Sequence, residues 1–241
     1  MLEAAFWGFV GGAALLLGAA ISLIWTVPHK VTGLVMGFGT GVLISAVAFE
    51  LTAEPYREAG FQPVLLGLLA GSVTFFVGDL LIDRRGGHRR KNPAGVDPAA
   101  APAALVLGAL LDGIPESAAI GVSLLDGGTV GIAVVVAVFL SNVPESLAAS
   151  TGMLNQGHSR SSVLRLWLAV TAAATVAAAA GNVLLQDAPA STVAFIQAFA
   201  AGAILTMLSD TMVPEAVHYA HRLVGLVSVL GFALAFAISV V

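Results

Sequence analysis

Charge is sparse in eight long apolar stretches of this chain, and that scarcity limits the folds open to it more than any motif does. Apolar runs of helical length are broken at Thr26-Val27-Pro28-His29-Lys30, Glu54-Pro55-Tyr56-Arg57, the Arg84 to Pro98 segment, Asp126-Gly127-Gly128, Asn155-Gln156-Gly157-His158 and Gln186-Asp187-Ala188-Pro189, with Arg222 marking the last break. A bilayer core takes about 20 apolar residues per helix, so eight such helices consume roughly 160 positions and leave only short connections. The composition agrees: 241 residues carry ten Lys or Arg and fourteen Asp or Glu, 58% are hydrophobic, and the mean hydropathy is +0.97. In a soluble domain about a quarter of residues are charged. The expected fold is therefore an all-α polytopic membrane protein forming one transmembrane domain over residues 1–241. Its helices fall near 4–25, 30–53, 63–83, 101–124, 130–152, 163–185, 191–215 and 222–241, with a longer loop at 84–100.

Several function classes drop out on the same numbers. A net charge of −4 provides no basic footprint for nucleic acid. The absence of cysteine removes disulfides, thiolate metal sites and redox relays. Met-Leu-Glu at the start has no basic n-region, so the first apolar run reads as a helix that is retained. Positive residues near span ends stay in the cytoplasm. Lys30, the Arg84, Arg85, Arg89, Arg90 and Lys91 cluster, Arg160, Arg165 and Arg222 all fall in or beside odd-numbered loops, and only Arg57 lies opposite. The odd loops, including 84–100, are thus expected in the cytoplasm and both termini outside, in a cell (plasma or inner) membrane.

Laying Phe38 on Phe199 aligns Gly37-Phe38-Gly39-Thr40-Gly41-Val42-Leu43-Ile44 with Ala198-Phe199-Ala200-Ala201-Gly202-Ala203-Ile204-Leu205 and brings Glu54 onto Glu215. The two segments lie five helices apart. Five is odd, so the copies run in opposite directions, and helices 1–3 and 6–8 are expected to form an inverted repeat around helices 4 and 5. Repeats of this kind typify secondary transporters with sites near the midplane.

The informative polar residues are those deep in a span. Helix 4 carries Leu111-Asp112-Gly113-Ile114-Pro115-Glu116-Ser117, and helix 5 carries Leu140-Ser141-Asn142-Val143-Pro144-Glu145-Ser146. Asp112 and Glu116 lie one turn apart on one face, as do Ser141 or Asn142 and Glu145. At 1.5 Å per residue both motifs sit about 15 Å from either end of their spans. A carboxylate at that depth costs at least ~2.5–3.5 kcal/mol and marks an ion or proton path by default. No Lys or Arg occupies the middle of any span, so neutralisation must come from protons or a bound cation. Pro115 and Pro144 lack an N–H and free the carbonyls of Leu111 and Leu140 beside the acidic stripes. The structural alternative is a pair of kinked helices joined by protonated acids. Two copies of Pro-Glu-Ser argue against it.

These residues resemble the ZIP family of divalent-metal transporters, whose helices 4 and 5 carry a His-Asn-x-Pro-Glu-Gly type motif. Val213-Pro214-Glu215-Ala216 and Ala198-Phe199-Ala200-Ala201-Gly202 are similar to that family's seventh helix. The chain looks like a divergent member: Asp112 and Ser141 stand where the family usually has histidines, Gly113 where it has asparagine, and Ser117 and Ser146 where glycine is common. The resemblance implies eight helices, outward termini and a metal site of Glu116, Asn142 and Glu145, with Asp112 and Ser141 added by position. It also implies that helices 4 and 5 belong to the part that moves. Loss of both imidazoles shifts the site toward oxygen ligands; imidazole suits Zn²⁺, whereas carboxylate, carbonyl and water suit Mg²⁺, Ca²⁺ and Mn²⁺. Zinc is the family default, with manganese and iron close behind.

The function expected is uptake of a divalent transition metal (zinc, or manganese or iron) from outside to cytoplasm. The metal is the transported substrate and no cofactor is called for. The alternative is a proton-coupled cation exchanger or exporter using the same acids. A membrane enzyme is not expected, since Leu111, Ile114, Leu140 and Val143 offer neither base nor nucleophile beside the acids. Pathway candidates are Glu50 and Glu54 at the outer end of helix 2, and Asp210, Glu215 and His218 at the cytoplasmic end of helix 7, Asp210 being expected as the most buried. Asp79 and Asp83, beside Arg84 and Arg85, read as a surface ion-pair cluster, and His88 as a solvated loop residue. Gly33, Gly37, Gly41, Gly8 and Gly12 follow small-xxx-small spacing, and helix 6 is alanine-rich over Ala172 to Ala180, so close helix contacts are expected there. The partners expected are divalent metal ions, the lipid bilayer and a second copy in a homodimer.

Overall fold

The structure is a computed structural model and describes residues 1–84, 102–125 and 131–239. His88, the rest of the 84–100 loop beyond Arg84, and the Asp126 to Thr129 turn lie outside the described residues. Within them the chain is all-α: α1 (Leu2–Ile24), α2 (His29–Ala59), α3 (Phe61–Ile82), α4 (Pro102–Ser123), α5 (Ile132–Asn155), α6 (Arg160–Leu185), α7 (Ala190–Ala220) and α8 (Leu223–Ser239). The first seven are long and apolar enough to cross a membrane. The eighth, at 17 residues, spans about 25 Å and packs along α2.

One break read from the sequence is helical: Glu54-Pro55-Tyr56-Arg57 continues α2, and α7, expected to end at 215, likewise runs on through Val213-Pro214-Glu215 to Ala220. The reason is the same in both. A π-turn, Phe49–Ala53 in α2 and Leu208–Met212 in α7, precedes each proline and puts it in the first turn of a fresh helical segment. A proline there sacrifices no hydrogen bond. The chain reverses only afterwards, at Gly60 (φ 80°) and at His221 (φ 51°). Gly60 can occupy the left-handed region without a Cβ penalty.

Helix contacts follow the repeat. Exchanging 1 with 6, 2 with 7, 3 with 8 and 4 with 5 turns the α3–α7 contact into α8–α2, the α1–α5 contact into α6–α4, and α2–α5 into α7–α4, and all of these pairs pack. The glycines register the symmetry atom by atom. A Cβ on Gly41 would overlap the Ser228 carbonyl and one on Gly202 the Leu68 carbonyl, while Gly231 meets the carbonyl of Phe38 and Gly71 that of Phe199. Phe38 and Phe199 are the two residues laid on one another in sequence. In lipid, where burial of apolar surface drives little, such close backbone approach supplies the van der Waals contact that holds helices together. Gly8 and Gly12 likewise lie against Ala178, Thr171 and Ala174 of the alanine-rich α6.

The packing sorts the helices into two groups. α1, α4, α5 and α6 form one, through α1–α5, α1–α6 and α4–α6; α2, α3, α7 and α8 form the other, through α3–α7, α2–α8 and α2–α7. The groups meet mainly where α5 touches α2 and α4 touches α7. Apolar side chains face outward from α3 (Leu69, Val73, Phe76), α6 (Leu168, Val176) and α8 (Leu226, Val229, Leu230), as a lipid-facing rim requires. Together with the seven apolar spans this defines an integral membrane protein.

The glycine contacts set an ordered series of stabilities. Gly41→Leu and Gly202→Leu force backbones apart and are expected to destabilise by about 1–3 kcal/mol or more, whereas Gly225→Ala, with open space at its Cβ, stays near wild type. Thermal unfolding of the purified variants in detergent reads the difference.

Candidate functional site

The two polar stripes point inward. Asp112 is 2% exposed and Glu116 0% on α4; Ser141 is 0%, Asn142 3% and Glu145 3% exposed on α5. The opposite face of α4 shows Ile114 to the outside, 45% exposed, so the helix carries its acids on the protein side and its aliphatics on the other. Antiparallel pairing of α4 and α5 is fixed at their junction, where the Gly131 N–H donates to Ser123 Oγ at 3.2 Å.

Each motif adopts the same local chemistry. Ser117 donates to the Gly113 carbonyl at 2.7 Å, and Ser146 donates to the Asn142 carbonyl at 2.8 Å, equivalent positions of the two Pro-Glu-Ser copies. A serine bonding one turn back tends to bend its helix, and here it does so two residues past a proline inside the helix. Ser141 donates to the Val138 carbonyl at 3.0 Å, which uses its proton and leaves its lone pairs to accept.

Small residues wall the α5 motif on both sides. On one side Asn142 Nδ2 donates to the Gly11 carbonyl of α1 at 3.0 Å. A Cβ on Gly11 would stand 2.8 Å from Ile120 Cδ1 of α4 and 3.4 Å from Val138 Cγ1 of α5, so α1 lies in the crease between those two helices. Gly18 of α1 abuts Ser146 and the Val143 carbonyl. On the other side Gly39 of α2 faces Ser141 and Pro144, with a Cβ position 3.2 Å from Ser141 Cα and 3.0 Å from Met212 Cε of α7. Asn142 therefore spends one of its two amide protons on α1, and its Oδ1 is the side chain's acceptor for a ligand.

The five residues share the buried face of two neighbouring helices, yet they do not close into a cage. Among the described residues, no three His, Asp or Glu side chains gather closely enough to hold a metal ion. The outlying candidates divide. Glu50 is half-buried while Glu54 is exposed; Glu215 is buried at 6% exposure, whereas Asp210 and His218 are exposed. Asp210 is thus not the most buried of its group. It lies deeper in the span than Glu215 but two residues from both buried Leu208 and Met212, which puts it on the opposite side of the helix, close to Asp79 of α3. Depth along a helix and the direction a side chain faces are separate coordinates.

Sequence reasoning centred on charge passed over Gln197, which is buried in the middle of α7's first half at 3% exposure. Its signal was present: an amide inside an otherwise apolar run. It also passed over three interhelical ties: Thr171 Oγ1 to the Gly12 carbonyl at 2.9 Å, Trp167 Nε1 to Ser150 Oγ at 2.7 Å, and Asn182 Nδ2 to the Gly121 carbonyl at 3.3 Å. All three lie within the α1, α4, α5, α6 group.

Compared with known proteins, the chain matches no protein-family model, and no curated protein matches it in sequence.

Asn142→Ala removes the α5 to α1 tie and leaves the Gly11 carbonyl without that donor. A loss of about 0.5–2 kcal/mol is expected, read as a lower unfolding midpoint in the same detergent.

Proposed function

We propose that this protein carries a divalent transition-metal ion across the membrane, inward, through a site on α4 and α5. One observation supports the reading above the rest: three carboxylates and an amide at mid-span, each no more than 3% exposed, on two proline-interrupted helices. Side chains of that kind inside a membrane-spanning bundle are costly and are kept where an ion or proton must pass. Glu116 and Glu145 are the principal ligands, Asp112 and Asn142 Oδ1 complete the shell, and Ser141 contributes a lone pair. The likeness to the ZIP family in the two Pro-Glu-Ser motifs supports the same assignment. Oxygen donors favour manganese and iron alongside zinc.

The open arrangement of the acids suits cargo better than a resident ion. Conduction needs binding strong enough to admit the ion and weak enough to release it. Closing the ligand set falls to motion of the α1, α4, α5, α6 group against the α2, α3, α7, α8 group. The contact between them includes Gly39, and small residues permit sliding. Glu215 is the buried acid on the cytoplasmic side and Glu50 the half-buried one outside; they serve as exit and entry stations in this scheme. A second reading is proton-coupled exchange or export through the same acids, which buried carboxylates in a membrane bundle also support.

Uptake into liposomes from a panel of Zn²⁺, Mn²⁺, Fe²⁺, Co²⁺, Cd²⁺ and Mg²⁺, with internal pH followed in parallel, separates the two. Inward transport predicts that at least one metal enters and that Glu116→Ala/Glu145→Ala abolishes it. Collapse of a pH gradient through those residues with no metal entry makes protons the cargo.

Because ligand carboxylates must be deprotonated to bind, metal entry is expected to fall as the external solution is acidified below neutrality. The same assay, run over a pH series at fixed metal concentration, measures it.

Orientation has its own test. With no native cysteine, a single Glu58→Cys or Asp187→Cys is expected to react with an impermeant maleimide in intact cells, and His158→Cys only after permeabilisation.

A further inference from the structure

At the end of the bundle where α2 and α8 both begin, an open cavity of about 790 Å³ is lined by Lys30, His221 and Arg222 on its polar side and by Val217, Leu223 and Val224 on its apolar side. Among the described residues, no acidic side chain lines it. Lys30 sits in the first turn of α2, and Arg222 immediately precedes α8, so two basic side chains are joined by the positive ends of two long helices. The reversal at His221, in the left-handed region that a non-glycine residue seldom occupies, carries His221 and Arg222 to the rim. An aromatic clasp steadies the neighbouring wall: Tyr219 meets His29 edge-on at 5.2 Å between ring centroids and His218 at 4.7 Å.

The repeat supplies the comparison. The ends of α7 and α3, which correspond to those of α2 and α8, border a cavity of about 320 Å³ lined by Gln62, Ser191 and Thr192 among apolar residues, with no charge. In the alignment that lays Phe38 on Phe199, Lys30 falls on Ser191 and Arg222 on Phe61. Two equivalent places in one fold therefore differ in chemistry, and only one has been made cationic.

We infer that the basic cavity binds the phosphate of an anionic phospholipid headgroup. Lys30 and Arg222 supply the charge and the donors. Leu223 and Val217, 43% and 46% exposed, supply the apolar flank along which an acyl chain lies. Basic pockets between membrane helices recognise lipid phosphates in this way, and the volume falls within the range of about 300–1,000 Å³ that ligand pockets occupy. A soluble phosphate would use the charges and leave the flank unused. The inference is independent of the cargo on α4 and α5; only the assignment to the inner leaflet rests on the charge bias of the loops.

The test uses the full chain, purified in a neutral detergent and titrated with dioleoylphosphatidylglycerol, with dioleoylphosphatidylcholine, or with inorganic phosphate. Lipid retention is followed by native mass spectrometry and stability by the unfolding midpoint. Phosphatidylglycerol is expected to remain bound and to raise the midpoint, phosphatidylcholine to do neither, and Lys30→Gln/Arg222→Gln to weaken retention at least about tenfold. Gln62→Ala/Ser191→Ala, in the neutral cavity, is expected to leave retention unchanged, and Lys30→Arg/Arg222→Lys to keep most of it. Should the double glutamine variant not fold, Lys30→Gln alone, at an exposed side chain, carries the same comparison. Equal retention by the glutamine variants and the parent, or equal binding of the two lipids, overturns the proposal. Protection by inorganic phosphate matching that of phosphatidylglycerol overturns the lipid as occupant.

Discussion

Backbone meeting backbone at glycine is the contact on which this fold depends. Lipid tails are as apolar as leucine, so two helices in a membrane gain little by hiding leucines from their surroundings and must gain by proximity. Gly41, Gly71, Gly202 and Gly231 place carbonyls of one helix against the bare Cα of another. They do so in two matched pairs, tying α2 to α8 and α3 to α7. The same device at Gly11, Gly18 and Gly39 presses α1 and α2 onto the polar motif of α5. Close packing thus creates the setting in which buried carboxylates are held: neighbouring helices shut out lipid without bringing bulk of their own.

The carboxylates then impose a complementary demand. An acid inside such a bundle must find hydrogen bonds, protons or a cation, and the surroundings on α4 and α5 are built from short-range donors and acceptors. Serines bond back along their own helices, Asn142 reaches α1, and Thr171 and Trp167 tie α6 to α1 and α5. These bonds lie within one four-helix group. That group is stitched together by polar ties as well as by small residues, while its boundary with the other group includes smooth contacts such as Gly39 against Pro144.

Much of this was legible in the sequence for identifiable reasons. Scarcity of charge in long runs marks membrane helices because lipid enforces it, so all eight helices were found and their polar stripes assigned to the buried side. The inverted repeat was legible through Phe38 and Gly41 against Phe199 and Gly202, residues whose close contacts recur in both halves. Helix ends were harder. Pro55 reads as a break because a proline usually ends a helix, and no local pattern announces the π-turns that accommodate Pro55 and Pro214. The facing of Asp210 was misjudged because depth was counted along the chain while azimuth was not. Gln197 was missed because an uncharged amide raises no alarm on a hydropathy reading. How far apart the α4 and α5 acids stand depends on helix displacement, which spacing within each motif does not encode.

The two π-turns have a consequence of their own. Each α-helical residue advances the chain by about 100° around the axis, so a turn holding one residue too many resets the phase of everything beyond it. In α2 that segment carries Glu54 and in α7 it carries Glu215. The faces shown by these two end segments are thus set by one residue of slack, and the slack lies toward opposite ends of the bundle because the helices run in opposite directions. Loss of a single residue from either turn would swing its terminal segment by more than a quarter of a revolution and so change the face that Glu54 or Glu215 presents.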